Sequence, residues 1–184
     1  SVYDTASEGR SKETEVNALD IETGKKVWSL QRDELTEGSV EVASTIHNGI
    51  VGIVIDTGRV YGVDASDGTV LWEAETSHRR DPNRGGNDIP TPIVFGDQFV
   101  LCSEEVQAFN VETGERNWTV GSRLPEIRTI PPVIDGTVYY PTANDSGEYG
   151  GILGVTVDGE ITTEVEIPTS FETLPAVGRE QQYY

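Results

Sequence analysis

The residues best equipped for chemistry cluster in Ser77-His78-Arg79-Arg80-Asp81-Pro82-Asn83-Arg84-Gly85-Gly86-Asn87-Asp88, which holds one of the two histidines and three of the ten arginines. Guanidinium groups are planar forks that can grip a carboxylate through two parallel bonds, so Arg79, Arg80 and Arg84 form a candidate partner-binding or ligand site. The competing and preferred use of these arginines is pairing with nearby acidic surface. Other reactive side chains stand alone. His47, in Thr45-Ile46-His47-Asn48-Gly49, precedes a turn and has no motif neighbour to make it a base or a metal ligand. Cys102 is the single cysteine, so no intramolecular disulfide can form within this chain, and between Leu101 and Ser103 it reads as a small buried filler. Asp64-x-x-Asp67-Gly68 lacks the spacing of an EF-hand loop. Neither a phosphate-cradling glycine loop nor a Gly-x-Ser-x-Gly elbow occurs, so no catalytic, cofactor or metal residue is expected.

The elements that must position these groups are written in a phrase that returns three times: ALDIETGKKVW from residue 18, GVDASDGTVLW from 62 and AFNVETGERNW from 108. The copies begin 44 and 46 residues apart, a period at which one repeat builds one four-stranded propeller blade. Val16, Ala18 and Asp20 alternate with Asn17 and Leu19, the pattern of a strand. Asp20, Asp64 or Asn110 can then bond amides two or three residues on, and Gly24, Gly68 or Gly114 can take positive φ, so each phrase reads as a hairpin loop ending in a glycine bulge. Trp28, Trp72 and Trp118 lie on the returning strands and are expected to wedge between blades, with Ala18, Gly62 and Ala108 leaving room for the rings. A worn fourth copy, Gly154-Val155-Thr156-Val157-Asp158-Gly159-Glu160, has Thr163 where the tryptophan would stand, so blade four is expected to be less tightly stapled.

Upstream of the phrases, Thr91-Pro92-Ile93-Val94-Phe95-Gly96-Asp97, Ile130-Pro131-Pro132-Val133-Ile134-Asp135-Gly136 and Leu174-Pro175-Ala176-Val177-Gly178 read as inner strands followed by turns. The expected architecture is all-β: a partial blade over 1–36, blades over about 40–76, 88–121 and 127–167, and a partial blade over 170–184. Both ends supply a second strand, so they cannot share one blade. The segment reads as an arc of a larger propeller, of about seven or eight blades. An arc leaves edge strands open to another chain, and self-association that completes a propeller is one outcome.

Charge narrows the partners. Thirty-two acidic residues oppose 13 basic ones, for a net charge of −19, and only Lys12, Lys25 and Lys26 are lysines. Such a surface repels nucleic acid. A surplus of carboxylates with few lysines suits a halophilic setting, where concentrated salt screens self-repulsion. No hydrophobic run of membrane-spanning length is present. Asn117-Trp118-Thr119 and Asn144-Asp145-Ser146 are sequons, glycosylation acceptors if the chain is exported; Asn144 is the better candidate because Ala143 to Gly151 reads as a polar loop.

The repeated phrase resembles the tryptophan-docking motif, Ala-x-Asp-x-x-Thr-Gly-x-x-x-Trp, of the quinoprotein family. These are the β-propellers of pyrroloquinoline quinone (PQQ) enzymes and their non-enzymatic relatives, including the lipoprotein of the bacterial β-barrel assembly machinery. Residues 18–28 match every fixed position, the second copy departs at Gly62 and Asp67, and the third only at Asn110. The resemblance implies an extracellular or cell-surface location, with a lipid anchor in the full-length protein. It also implies that 4–15, 76–89 and 141–151 lie on the face that carries function. Enzymes of the family hold PQQ beneath a vicinal disulfide beside calcium, which the lone Cys102 cannot build. The expected function is therefore a non-catalytic, protein-binding assembly scaffold that takes no cofactor. A fragment of a PQQ- and calcium-dependent dehydrogenase is the runner-up, and a module that binds acidic glycans or peptides through loop 76–89 is a third reading.

Overall fold

The computed structural model describes residues 2–6, 15–31, 42–55, 58–77, 91–102, 105–121, 131–143 and 149–171. All regular structure among them is strand, arranged in four antiparallel sheets that follow one another along the chain. Blade A contains β1 (Val2–Ala6), β2 (Glu15–Leu19) and β3 (Lys26–Gln31). Blade B contains β4 (Val42–His47), β5 (Ile50–Ile55), β6 (Arg59–Asp64) and β7 (Val70–Glu75). Blade C contains β8 (Ile93–Val94), β9 (Gln98–Cys102), β10 (Val106–Asn110) and β11 (Arg116–Val120). Blade D contains β12 (Val133–Ile134), β13 (Thr137–Ala143), β14 (Tyr149–Thr156) and β15 (Ile161–Phe171). Each sheet is a meander pairing consecutive strands, as the repeat predicts. Two inner turns, Asn48-Gly49 and Asp135-Gly136, put both residues at positive φ, the primed geometry that matches the twist of a two-residue hairpin.

The core lies between sheets, and blades B and C each contribute to two cores at once. Val51, Ile53 and Ile55 of β5 pack with Val16, Ala18 and Trp28 of blade A. Val54, Val60 and Trp72 pack instead with Phe99, Leu101, Phe109 and Val111 of blade C. Val100, Cys102, Val106 and Ala108, on the other face of blade C, join Val138, Tyr140, Leu153 and Val155 of blade D. Alternation along a strand explains why β5 and β9 are apolar almost throughout, and a one-residue slip would exchange their two cores. Each large side chain buried this way contributes about 1.5–3 kcal/mol.

One feature of the ladder is absent from the sequence reading, which placed the irregularity at the loop glycine. The extra residue sits on the outer strand, just before the tryptophan. Ala18 faces Trp28 while Leu19 faces Lys26, which leaves Val27 bulged. Leu71, Asn117 and Thr162 are skipped in the same way in the other three blades. A bulge re-aims the next side chain, and here it turns the tryptophan position towards the following blade. It also accounts for exposed Val27 and Leu71, at 51% and 48% of full exposure.

Candidate functional site

The polar residues of the repeat are committed to its turns. Asp20 Oδ1 accepts bonds from the Thr23 amide at 2.8 Å and the Thr23 hydroxyl at 2.6 Å. Asp64 Oδ1 accepts the Ser66 amide and hydroxyl at the same two distances, 2.8 and 2.6 Å. Asn110 Oδ1 accepts the Glu112 and Thr113 amides at 2.9 and 3.0 Å. Gly24, Gly68 and Gly114 close these turns, their amides donating to the Asp20, Asp64 and Asn110 carbonyls. Bonds from the Thr23 and Ser66 side chains, then from backbone amides, hold the Asp20 and Asp64 carboxyls below their ordinary value. Both are therefore turn devices, each with one carboxylate oxygen committed to two local donors.

Above each turn lies a dock for the indole of the preceding blade. Trp28 Nε1–H donates to the Ala65 carbonyl at 2.9 Å, Trp72 to Val111 at 2.8 Å, and Trp118 to Val157 at 2.8 Å. The ring then lies over the turn glycine, where a Cβ on Gly68, Gly114 or Gly159 would stand 2.9, 2.4 or 2.7 Å from the indole. The same glycines have φ of +80°, +72° and +82°, so the residue type answers both a backbone and a packing demand. On its own blade the ring also needs a small partner: a Cβ on Gly62 would lie 2.1 Å from Trp72. Each indole thus reaches from its own sheet to the turn of the following blade. The dock of blade D holds Trp118 as the other docks hold theirs, and the staple that Thr163 does not supply is the one on the far side of blade D. Thr163, paired with Gly154, stands at the indole position of a face that looks away from blade C.

The connections alternate between two ends of the meander, and the second-to-third-strand and blade-to-blade loops share one end. Arg79, Arg80, Arg84 and Asn144 lie outside the described residues. The root of the arginine loop is fixed: the Ser77 amide and hydroxyl donate to Gln107 Oε1 at 2.8 and 3.1 Å, and Gln107 is buried in blade C. Asn117 is an exposed bulge residue beside Trp118. His47 does have a neighbour, Asp97 Oδ1 at 3.3 Å, supplied by the turn of the next blade fifty positions away and so invisible to local motif reading. Cys102 is buried as expected, and burial pushes its thiol up to about 12. The Tyr140 hydroxyl across the C–D joint is raised for the same reason.

Comparisons with known proteins agree with this geometry. A protein-family model described as outer membrane protein assembly factor BamB matches residues 5–153. No curated protein matches the chain. Among solved structures, BamB from Moraxella catarrhalis is 16% identical with a TM-score of 0.61, over 89% of this chain and 52% of that one. A europium-containing methanol dehydrogenase is 16% identical with a TM-score of 0.62, over 91% of this chain and 40% of that one. A computationally designed protein, Ika4, is 16% identical with a TM-score of 0.58, over 80% of this chain and 83% of that one. At these identities the likeness is one of fold. The chain spans about half the length of the BamB structure and less of the dehydrogenase.

Proposed function

The chain belongs to the PQQ-like repeat β-propeller family represented by the BamB model, and from that premise we propose that it is a non-catalytic, protein-binding scaffold. The observation that carries this reading is the use to which the repeat puts its reactive groups. The carboxylates of Asp20 and Asp64 are spent on turns, three indoles staple one sheet to the next, and the thiol of Cys102 is closed inside a joint. What remains for recognition is the loop end, where the segment bearing Arg79, Arg80 and Arg84 is rooted on Gln107. Arginines on an anchored loop suit a partner that presents carboxylates, an acidic peptide or glycan. The assembly role in the family description stays with the proteins it describes.

The dehydrogenase neighbour supports a second reading, a fragment of a PQQ- and calcium-dependent enzyme. The described residues do not fit that group: Cys102 is buried against Tyr140, and no cluster of three His, Cys, Asp or Glu able to hold a metal occurs among them. Titration with PQQ in the presence and absence of calcium separates the two readings. The scaffold reading expects no saturable absorbance change, and a 1:1 change that requires calcium would sink it. We also propose export to the cell surface, use of Asn144 before Asn117 as a glycosylation acceptor, and adaptation to salt. Dialysis to low salt should unfold the chain because 19 net negative charges lose their screening. An unchanged circular dichroism spectrum and melting temperature there would refute the last point.

A further inference from the structure

One turn of the meander is placed to react with itself. Of the asparagines in the chain, only Asn48 is followed by glycine. Pairing of His47 with Ile50 makes Asn48-Gly49 the whole of a two-residue loop, with φ of +49° and +75°, and both residues are exposed. The Gly49 carbonyl accepts the Ala65 amide at 2.8 Å, whereas the Gly49 amide and the Asn48 side chain take part in no hydrogen bond among the described residues.

The Cγ of an asparagine and the amide nitrogen of the next residue can close a five-membered ring. A side chain on that next residue crowds the closure, and glycine has none. The other described asparagines are hindered: Asn17 is buried, Asn110 Oδ1 is held by two turn amides and precedes branched Val111, and Asn117 precedes Trp118.

We propose that Asn48-Gly49 is a site of spontaneous covalent modification. The Gly49 amide nitrogen loses its proton to solvent base and attacks Asn48 Cγ. A bond forms between that nitrogen and Cγ, the Cγ–NH2 bond breaks, and ammonia leaves with a proton taken from solvent. Water then opens the cyclic imide. Opening at Cγ gives aspartate, and opening at the main-chain carbonyl of residue 48 gives isoaspartate, whose backbone runs through Cβ and Cγ.

The two products differ in what they do to the fold. Aspartate suits the turn, because Asp135-Gly136 holds the equivalent hairpin of blade D with φ of +48° and +75°. Isoaspartate adds a backbone atom to a loop whose length sets the register of the ladder. That loop joins two blade contacts. Ala65, held by Gly49 through its amide, receives the Trp28 indole of blade A on its carbonyl, and the adjacent His47 meets Asp97 of blade C. Isoaspartate at 48 therefore loosens both contacts, whereas aspartate leaves them intact. This chemistry is independent of the scaffold role and of any partner at the arginine loop.

Incubation of the chain in mildly alkaline buffer tests it, in about 1 M salt, where charges are screened within about 3 Å. Peptide mapping by mass spectrometry, with isoaspartyl methyltransferase labelling, should find conversion of Asn48 before that of any other asparagine. The isoaspartate fraction should melt at a lower temperature than unmodified chain, with tryptophan emission shifted to the red. Asn48→Asp should melt as wild type does. Asn48→Gly keeps a residue pair that suits the primed turn and cannot form the imide, so its melt should not change on incubation. If that variant does not fold, the isoaspartate and unmodified fractions of wild type decide. Asn48 that reacts in denaturant but stays intact in the folded chain overturns the proposal, as does conversion no faster than at Asn117. An isoaspartate fraction that melts with unmodified chain overturns the link to the two joints.

Discussion

The joint between blades C and D and the face of blade D that looks away from blade C are made from the same strand positions, and one side chain separates them. In the joint, Trp118 reaches over Gly159 and donates to the Val157 carbonyl. On the face that looks away from blade C, Thr163 occupies the equivalent position beside the bulge, and its Cβ lies against Gly154 of its own sheet. The difference shows that the indole of a repeat makes its hydrogen bond to the next blade and not to its own. It stabilises the contact with the next one, and the glycine it covers belongs to that next blade. A repeat that loses its tryptophan therefore keeps its own sheet and weakens the following joint.

The largest effect that would break this comparison comes from Trp72→Ala, which removes a ring buried in the B–C core and orphans the Val111 carbonyl. It should destabilise by about 3–5 kcal/mol in chemical denaturation, whereas Thr163→Ala should change stability by about 0.5 kcal/mol or less. Equal losses would mean that the indoles are not the staples. Next in size, Gly114→Ala and Gly24→Ala share the strain of positive φ, but only the first drives a Cβ into an indole, at 2.4 Å. Gly114→Ala should therefore cost about 1–3 kcal/mol more than Gly24→Ala. Thermal melts of the two variants measure the gap, and no gap would leave the glycines with turn geometry alone.

Smaller still is Asn110→Ala, which removes the side-chain oxygen that accepts two turn amides and should cost about 1 kcal/mol. The smallest effect is a pH dependence that distinguishes the Asp turns from the Asn turn. Asp20 and Asp64 have lowered folded values, so their contribution is present above the ordinary value of 3.8 and is lost as pH falls through the folded one. Melting temperature plotted against pH should fall less steeply below 3.8 in Asp64→Asn than in wild type. Superimposable curves would show that the carboxylate charge adds nothing to the turn.

Most of the fold was legible because the signals are local. The period of the phrase, the period-two alternation of Val16 to Asp20 and the Asp-to-Gly turns each depend on residues a few positions apart. Even the meander order follows, since short turns can only join neighbouring antiparallel strands. The candidate site was legible in composition alone: the arginines stand out against an acidic chain, but nothing local says what anchors their loop. Gln107, which does so at Ser77, is an ordinary polar residue in an apolar strand and carries no motif. The pairing of His47 with Asp97 was missed for the same reason, as was the bulge at Val27, Leu71, Asn117 and Thr162, which exists only relative to a partner strand.

By itself the sequence determined that this chain folds as a series of blades, where each strand and turn falls, and that three tryptophans recur in phase, because backbone geometry and alternation are set by neighbours in the chain. Only the tertiary structure decided which blade each indole serves. That choice depends on the carbonyls of Ala65, Val111 and Val157 and on glycines about forty residues further on, brought within bonding distance by the stacking of one sheet against the next.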